Sequence, residues 1–182
     1  LPIPSRVGYT FNGWKLGEEI VDENTIVKTI EDHTLIAQWT ANEYTVKYDG
    51  NGATGGSTAN STHTYDINKA LTANGFIREY TVTYNHNYTG STNTNKTATY
   101  TFKNWNTKAD GTGTSYNDKE TVKNLATSGT FNLYAQWSVA SVKYVPERPG
   151  YTFRGWYAET GCTTPKTGED GVFTPTANIT LY

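Results

Sequence analysis

An aromatic hexapeptide that occurs three times constrains the fold of this chain more than any other feature. Its copies begin at Tyr9, Tyr100 and Tyr151 and read Tyr-Thr-Phe, one variable residue, Gly or Asn, and Trp. A second segment of the Leu-Tyr-Ala-Gln-Trp type follows each copy, at Leu35, at Leu133 and, in a shortened form, at Leu181, and the interval between the two segments differs among the copies. Two matching segments separated by an interval of variable length are typical of a repeated structural unit whose connecting loop tolerates insertions.

This repetition predicts three small units, whereas 182 residues would otherwise suggest one or two domains. We expect a partial repeat over 1–40 that lacks the opening strand, a full repeat over 41–138 with an extra hairpin strand, and a short repeat over 139–182. They are named here the N-terminal, central and C-terminal repeats.

Alternation of large and polar residues predicts that the units are mainly β. Tyr44 to Tyr48 places Tyr, Val and Tyr on one face, and Tyr80 to Tyr84 nearly restates that strand. The range 66–75 combines an N-cap residue, apolar positions four apart and a final Gly, which predicts a short helix. A helical turn is also expected within 117–125. The expected fold class is therefore α+β with a large β content.

Composition excludes several classes of partner. A net charge of −2 with no basic stripe argues against nucleic acid, and no apolar run approaches the ~20 residues of a membrane span. The single Cys162 cannot form an intramolecular disulfide. The absence of Met and the opening Leu1-Pro2 suggest a fragment of a larger secreted protein.

Residues with catalytic or metal-binding chemistry are few and scattered. His33, His63 and His86 are far apart in the sequence, and neither a His-Glu-x-x-His nor a Cys-x-x-Cys motif occurs. We therefore predict a non-enzymatic chain without catalytic residues, metal or cofactor.

Together these motifs resemble the internalin B-repeat family, also called the Listeria–Bacteroides repeat, which occurs in tandem on bacterial surface proteins. The opening Tyr-x-Val-x-Tyr-Asp-x-Asn-Gly pattern matches at 44–52, the Arg-x-Gly-Tyr-x-Phe-x-Gly-Trp pattern at 6–14 and 148–156, and the Leu-Tyr-Ala-x-Trp pattern at 133–137. The resemblance implies small β-grasp-like repeats in the cell envelope of a Gram-positive bacterium. Asn104 departs from the pattern, which has Gly at that position.

The recurring aromatic residues are expected to form the core of each repeat, since a repeat needs its large residues at fixed places. This predicted structural signature comprises Tyr9, Phe11, Trp14, Trp39, Tyr100, Phe102, Trp105, Trp137, Tyr151, Phe153 and Trp156. The favoured function is a stalk or spacer on the cell surface that also makes weak multivalent contacts with a host-surface protein or glycan and with neighbouring repeats.

A carbohydrate-binding module is the alternative, and its expected contact loop is 85–95, with Tyr88, Asn93 and Asn95 as candidate ligand contacts. A Lys–Asn isopeptide crosslink is a third hypothesis for stabilisation without disulfides. Because the N-terminal and C-terminal repeats lack an opening strand, each is expected to leave a sheet edge that pairs with a neighbouring unit or another molecule.

Overall fold

The computed structural model of the chain describes residues 1–28 and 30–182 and is mainly β. These residues form sixteen short strands in several small sheets. Their contacts divide the chain into two compact units. The first comprises Leu1–Asp49, Ala59–Ala73 and Asp118–Leu133, and the second comprises Gly50–Thr58, Asn74–Asn117 and Tyr134–Tyr182.

The N-terminal repeat forms a three-stranded antiparallel sheet in the first unit, with β1 (Tyr9–Leu16) between β2 (Glu19–Val21) and β3 (Ile36–Ala41). The two sequence signatures therefore pair with each other. The register shifts between Phe11 and Gly13. Gly13 has a φ of 115°, a conformation that costs little only for glycine, so glycine is well suited to the bulge in this copy.

The remainder of the first unit contains β4 (Glu43–Asp49), β6 (Ser61–Thr64), β7 (Lys69–Ala70), β12 (Thr121–Val122) and the beginning of β13 (Gly129–Trp137). β4 pairs with β6 and lies beside β13, and β7 pairs with β12. Tyr44, Val46 and Tyr48 are all buried, as the alternation in β4 predicts. His63 is also buried and stacks on Tyr44, with 5.4 Å between the ring centroids.

The predicted helix at 66–75 and the predicted turn of helix within 117–125 are wrong. No helix occurs in the part of the chain that the structure describes, and these two segments instead supply β7 and β12. Asp66 has a φ of 63°. Its backbone amide donates a hydrogen bond to Asn124 Oδ1, and its carboxylate accepts one from Asn124 Nδ2. The partner segment thus overrides the local helical signal. Without a helix packed on a sheet, the expected β-grasp arrangement is not confirmed.

The second unit holds the central hexapeptide and the C-terminal repeat. Its strands are β5 (Gly55–Gly56), β8 (Phe76–Tyr84), β9 (Thr94–Tyr100), β10 (Phe102–Asn106), β11 (Ser115–Tyr116), the end of β13, β14 (Val142–Lys143), β15 (Val172–Phe173) and β16 (Ile179–Leu181). β10 pairs with β11 and with β13, and β14 pairs with β15. The register shift between Phe102 and Asn104 matches the shift in β1, so the bulge is retained where Asn replaces Gly.

The C-terminal repeat is completed by a strand that precedes it in the sequence. β8 and β9 form the hairpin that distinguishes the central repeat, and β8 also pairs in parallel with β16, with Val82 opposite Ile179 and Tyr84 opposite Leu181. The buried cluster of this region is shared between the hairpin and the C-terminal repeat. It consists of Val82, Tyr84, Ala98, Val142, Trp156 and Leu181. In the structure, the sheet edge at residues 179–181 is thus paired with β8.

Candidate interaction site

The Arg-x-Gly-Tyr segment of the C-terminal repeat forms a local clamp that fixes an arginine against an aromatic ring. The Arg148 guanidinium carbon lies 3.7 Å from the centre of the Tyr151 ring, and the Tyr151 amide donates a hydrogen bond to the Arg148 carbonyl at 3.0 Å. The N-terminal repeat repeats this arrangement, with Arg6 at 3.7 Å from the Tyr9 ring. The clamp is therefore a property of the local sequence.

The two clamps differ in their surroundings. The Tyr9 hydroxyl donates a hydrogen bond to the Asp66 carboxylate at 2.8 Å, which ties that ring to the rest of the first unit. Tyr151 keeps 67% of its surface exposed, and its neighbours form a groove of about 200 Å³. The lining includes His86, Tyr88, Arg148, Tyr151, Phe153 and Arg154.

Arg148 is held between two aromatic faces in this groove. Its guanidinium carbon lies 4.5 Å from the centre of the Tyr88 ring, on the loop between β8 and β9, in addition to its contact with Tyr151. Arg154 makes an exposed ion pair with Glu169 at 2.9 Å, so the charge on that side of the groove is balanced. Arg148 supplies the hydrogen-bond donors, and the two tyrosines supply flat apolar surface.

Packed aromatic rings support the floor of the groove. His86 stacks on Tyr144 with 5.7 Å between ring centroids, and Tyr144 in turn stacks on Trp156 at 5.8 Å. The Tyr144 hydroxyl lies 3.1 Å from His86 Nε2 and accepts a hydrogen bond from the Thr94 hydroxyl, also at 3.1 Å. Tyr84 packs against both Tyr144 and Trp156, and its burial there raises the pKa of its phenol.

The loop that carries Tyr88 is tied down on both sides. The Asn87 side chain donates a hydrogen bond to the Thr160 carbonyl at 2.9 Å, and Asn87 itself adopts a φ of 54°. The Ser91 hydroxyl donates to the Tyr88 carbonyl at 2.7 Å. Tyr88 is thus presented to the groove by a hydrogen-bonded turn, which reduces the entropy lost when a ligand binds.

The predicted ligand-contact residues are separated by the structure. Tyr88 lies in the groove, whereas Asn93 and Asn95 are exposed and do not line it. Asn95 lies in β9 opposite Thr83. Arg148 was not among the residues predicted to contact a ligand, because the sequence gives no sign that it faces the loop at 85–95.

The aromatic signature is buried to different extents. Trp105 and Trp156 are fully or almost fully buried, and Tyr100 is 8% exposed. Trp14, Trp39 and Trp137 are half-buried, and Tyr151 is largely exposed. The same hexapeptide therefore contributes both core residues and a surface aromatic, depending on what packs around each copy.

Other kinds of site have no support among residues 1–28 and 30–182. These residues place no group of three His, Cys, Asp or Glu side chains where a metal ion could be held. No helix within the same ranges has the length and hydropathy needed to cross a bilayer.

The sequence profile of the Listeria-Bacteroides repeat domain matches this chain over residues 1–38, 62–136 and 138–182. Two curated relatives come from Evansella cellulosilytica. A "Putative Gly-rich membrane protein" is 29% identical over 85% of this chain and 20% of its own length, and a "Putative membrane protein" is 34% identical over 77% of this chain and 18% of its own length. The chain thus spans about a fifth of the length of these relatives. No solved structure matches it.

Proposed function

The chain belongs to the Listeria-Bacteroides repeat family, and we propose on that basis that it is a non-catalytic spacer of the internalin B-repeat type in a bacterial cell-surface protein. One observation carries the proposal: β8, which belongs to the central repeat in sequence, completes the C-terminal repeat by pairing with β16. Consecutive repeats that share a strand resist separation better than independent domains on a flexible linker. The membrane-protein descriptions of both relatives support a location in the cell envelope.

The C-terminal strand is bonded along both of its edges, which suits a segment that carries tension. Ile179–Leu181 pair with Val82–Tyr84 on one side. On the other side, Tyr182 and Tyr157 exchange two backbone hydrogen bonds of 2.8 and 3.0 Å. Tension along β16 loads these bonds together, whereas a strand peeled from its end would break them one at a time.

Single-molecule force measurements on the full chain, held at both ends, test this function. If β8 and β16 unfold together while residues 101–138 stay folded, one event releases residues 76–100 and 139–182, with a combined contour length of roughly 240 Å. If the C-terminal repeat is independent, residues 139–182 unfold alone and release roughly 150 Å. The shorter step would contradict the proposal.

A matched pair of variants controls the force experiment. Val82 and Val46 occupy the same place in nearly identical strands and are both fully buried. Val82→Ala is expected to lower the force of the long step, while Val46→Ala, in the first unit, leaves it unchanged. Equal effects of the two variants would mean that the step does not depend on the β8–β16 pair.

Carbohydrate binding is the second candidate, and the groove that contains Arg148, Tyr88 and Tyr151 favours it. An exposed aromatic ring beside a fixed guanidinium can stack on a sugar face and donate hydrogen bonds to hydroxyl or carboxylate groups. The candidate ligands are therefore acidic or neutral glycans of the host surface or the cell wall.

A glycan array followed by NMR titration of the full chain tests the second candidate. Arg148→Ala should abolish saturable shifts around Tyr151, while Arg6→Ala, which removes the equivalent arginine of the N-terminal clamp, should leave them unchanged. Binding that survives Arg148→Ala would place the ligand elsewhere, and no binding on the array would leave the spacer as the sole candidate.

A further inference from the structure

The N-terminal repeat lacks the strand that completes the C-terminal repeat. β3 pairs with β1 along one edge, and within residues 1–28 and 30–182 no strand pairs with its other edge or with residues 33–35 directly ahead of it. The equivalent of residues 33–35 in the C-terminal repeat is β16, which pairs with β8 and is followed by the Tyr182–Tyr157 pair. The two repeats can therefore be compared as the same unit without and with a partner strand at this sheet edge.

The register of the two repeats identifies which residues correspond. Lys15 lies opposite Ile36 in the N-terminal repeat, and Tyr157 exchanges hydrogen bonds with Tyr182 at the same place in the C-terminal repeat. Thr34 and Leu35 are therefore the counterparts of Thr180 and Leu181.

A second bond supports the correspondence. The indole N–H of Trp14 donates to the Pro2 carbonyl at 2.9 Å, and that of Trp156 donates to the Tyr144 carbonyl at 2.7 Å. Both bonds span 12 residues of sequence. The local framework is therefore the same in both repeats, and the difference between them lies in what covers it.

A cavity of about 670 Å³ lies beside His33 and Leu35 in the N-terminal repeat. Its lining combines polar and charged side chains with the apolar side chains of Leu1, Leu16, Val21, Ile26, Val27 and Leu35. Leu1, Ile26 and Val27 are each about 70% exposed or more. In the C-terminal repeat, Leu181, the counterpart of Leu35, is fully buried in the cluster that contains Val82 and Tyr84 of β8.

We propose that residues 33–35, directly ahead of β3, and this cavity form an acceptor site for a strand of the Tyr-Thr-Val-x-Tyr type from a further repeat of the same family. The occupant would run parallel to β3, place its central Val and last Tyr over the cavity, and pair in the register in which β8 pairs with β16. A parallel strand with alternating apolar side chains satisfies the open backbone edge and covers the exposed apolar residues at once.

This inference rests on the proposed function, in which repeats share strands, and extends it to the other end of the chain. In a chain of repeats joined in this way, each repeat contributes one strand to the sheet of the repeat that follows it. The arrangement is a heterologous contact, because the donor strand and the acceptor edge are different surfaces.

Disulfide trapping tests both the occupant and its register. The full chain is extended ahead of Leu1 with a second copy of the hairpin 76–100, joined by a Gly/Ser linker of about 20 residues with a typical span of roughly 25 Å. Cys162→Ser removes the exposed native thiol. Thr34→Cys is combined with Thr83→Cys in the added hairpin, because Thr83 lies opposite Thr180 in the existing strand pair.

An out-of-register pair is the matched control. The control combines Thr34→Cys with Thr81→Cys in the added hairpin. Residues 81 and 83 lie on the same face of the strand, but position 81 is displaced from position 34 by two residues along the strand, which is too far for a disulfide. In a glutathione redox buffer, the in-register pair should crosslink at least tenfold more than the control. Hydrogen exchange should also slow at the amides of residues 33–35 in the extended chain that carries no added cysteine.

Three outcomes would overturn the acceptor site. These are equal crosslinking of the two cysteine pairs, no crosslinking in either, and a chain without the added hairpin that dimerises through β3, since a second copy would then be the occupant. None of them alters the pairing of β8 with β16, so the proposed spacer function can fail or survive separately.

Discussion

Replacing Val82 by Ala should destabilise a repeat to which Val82 does not belong in sequence. Val82 is fully buried in β8, opposite Ile179 of β16. The change removes two methyl groups, worth about 1.6 kcal/mol in transfer free energy at ~0.8 kcal/mol each, and the cavity adds to this cost. We expect a loss of about 2–3 kcal/mol, or roughly a 30- to 150-fold rise in the opening equilibrium of β16.

Native-state hydrogen exchange, read by NMR at single amides, measures this effect. In Val82→Ala, the amides of Leu181 and Tyr182 should exchange faster together with those of β8, although they lie about a hundred residues away in the chain. Val46→Ala removes the same groups from an equally buried position in β4 and serves as the control. It should accelerate exchange in the first unit and leave Leu181 protected.

The opposite pattern would refute the reasoning. If Val82→Ala accelerated exchange only within 41–138 and left 139–182 unchanged, the C-terminal repeat would be stable without β8. The parallel pair would then be a contact between independently folded repeats, and the spacer would lose the feature on which the proposal depends.

Three further results are expected. Burial lowers the pKa of His63, so its contribution to stability is complete above the unfolded-state pKa of about 6.5 and is lost as the pH falls toward the lowered folded-state value. Urea unfolding from about pH 7.5 to about pH 5 should therefore lose up to ~1.4 kcal/mol per pH unit more than in His63→Phe, and parallel curves would contradict this. Gly155→Ala should cost more than Gly13→Ala in thermal unfolding: both glycines have positive φ, 129° and 115°, but only at 155 would a Cβ lie 2.5 Å from the Thr167 carbonyl oxygen, so equal costs would argue against that contact. Asn106→Ala should cost about 2–3 kcal/mol in urea unfolding, because the buried side-chain amide bonds three oxygen acceptors and two backbone amides, and a loss below 1 kcal/mol would show that water replaces it.

Local sequence patterns predicted the strands well and the helices badly. The buried Tyr44, Val46 and Tyr48 follow from strict alternation, which has one solution for a half-buried strand. The helical signal at 66–75 failed because it counts only neighbours in sequence. Asp66 and Leu71 instead bond residues 124 and 120, which that signal could not include.

The candidate site was predicted only in part for a similar reason. Tyr88 was identified because a long polar loop suggests a contact surface, but Arg148 lies far along the chain from that loop. Their approach depends on the hairpin folding onto the C-terminal repeat, and no spacing within either segment encodes it.

The sequence by itself determined the repeat, its aromatic signature and the alternation of its strands. Each of these depends on residue types at fixed places within one short segment. Only the tertiary structure decided which repeat uses which opening strand. Tyr44 to Tyr48 and Tyr80 to Tyr84 are almost identical, so local energetics cannot distinguish them, and the choice depends on the core that each strand helps to bury. β8 completes the C-terminal repeat because Val82 and Tyr84 cover Leu181 and Trp156 there, whereas no strand in the described part of the chain pairs with the outer edge of the N-terminal repeat.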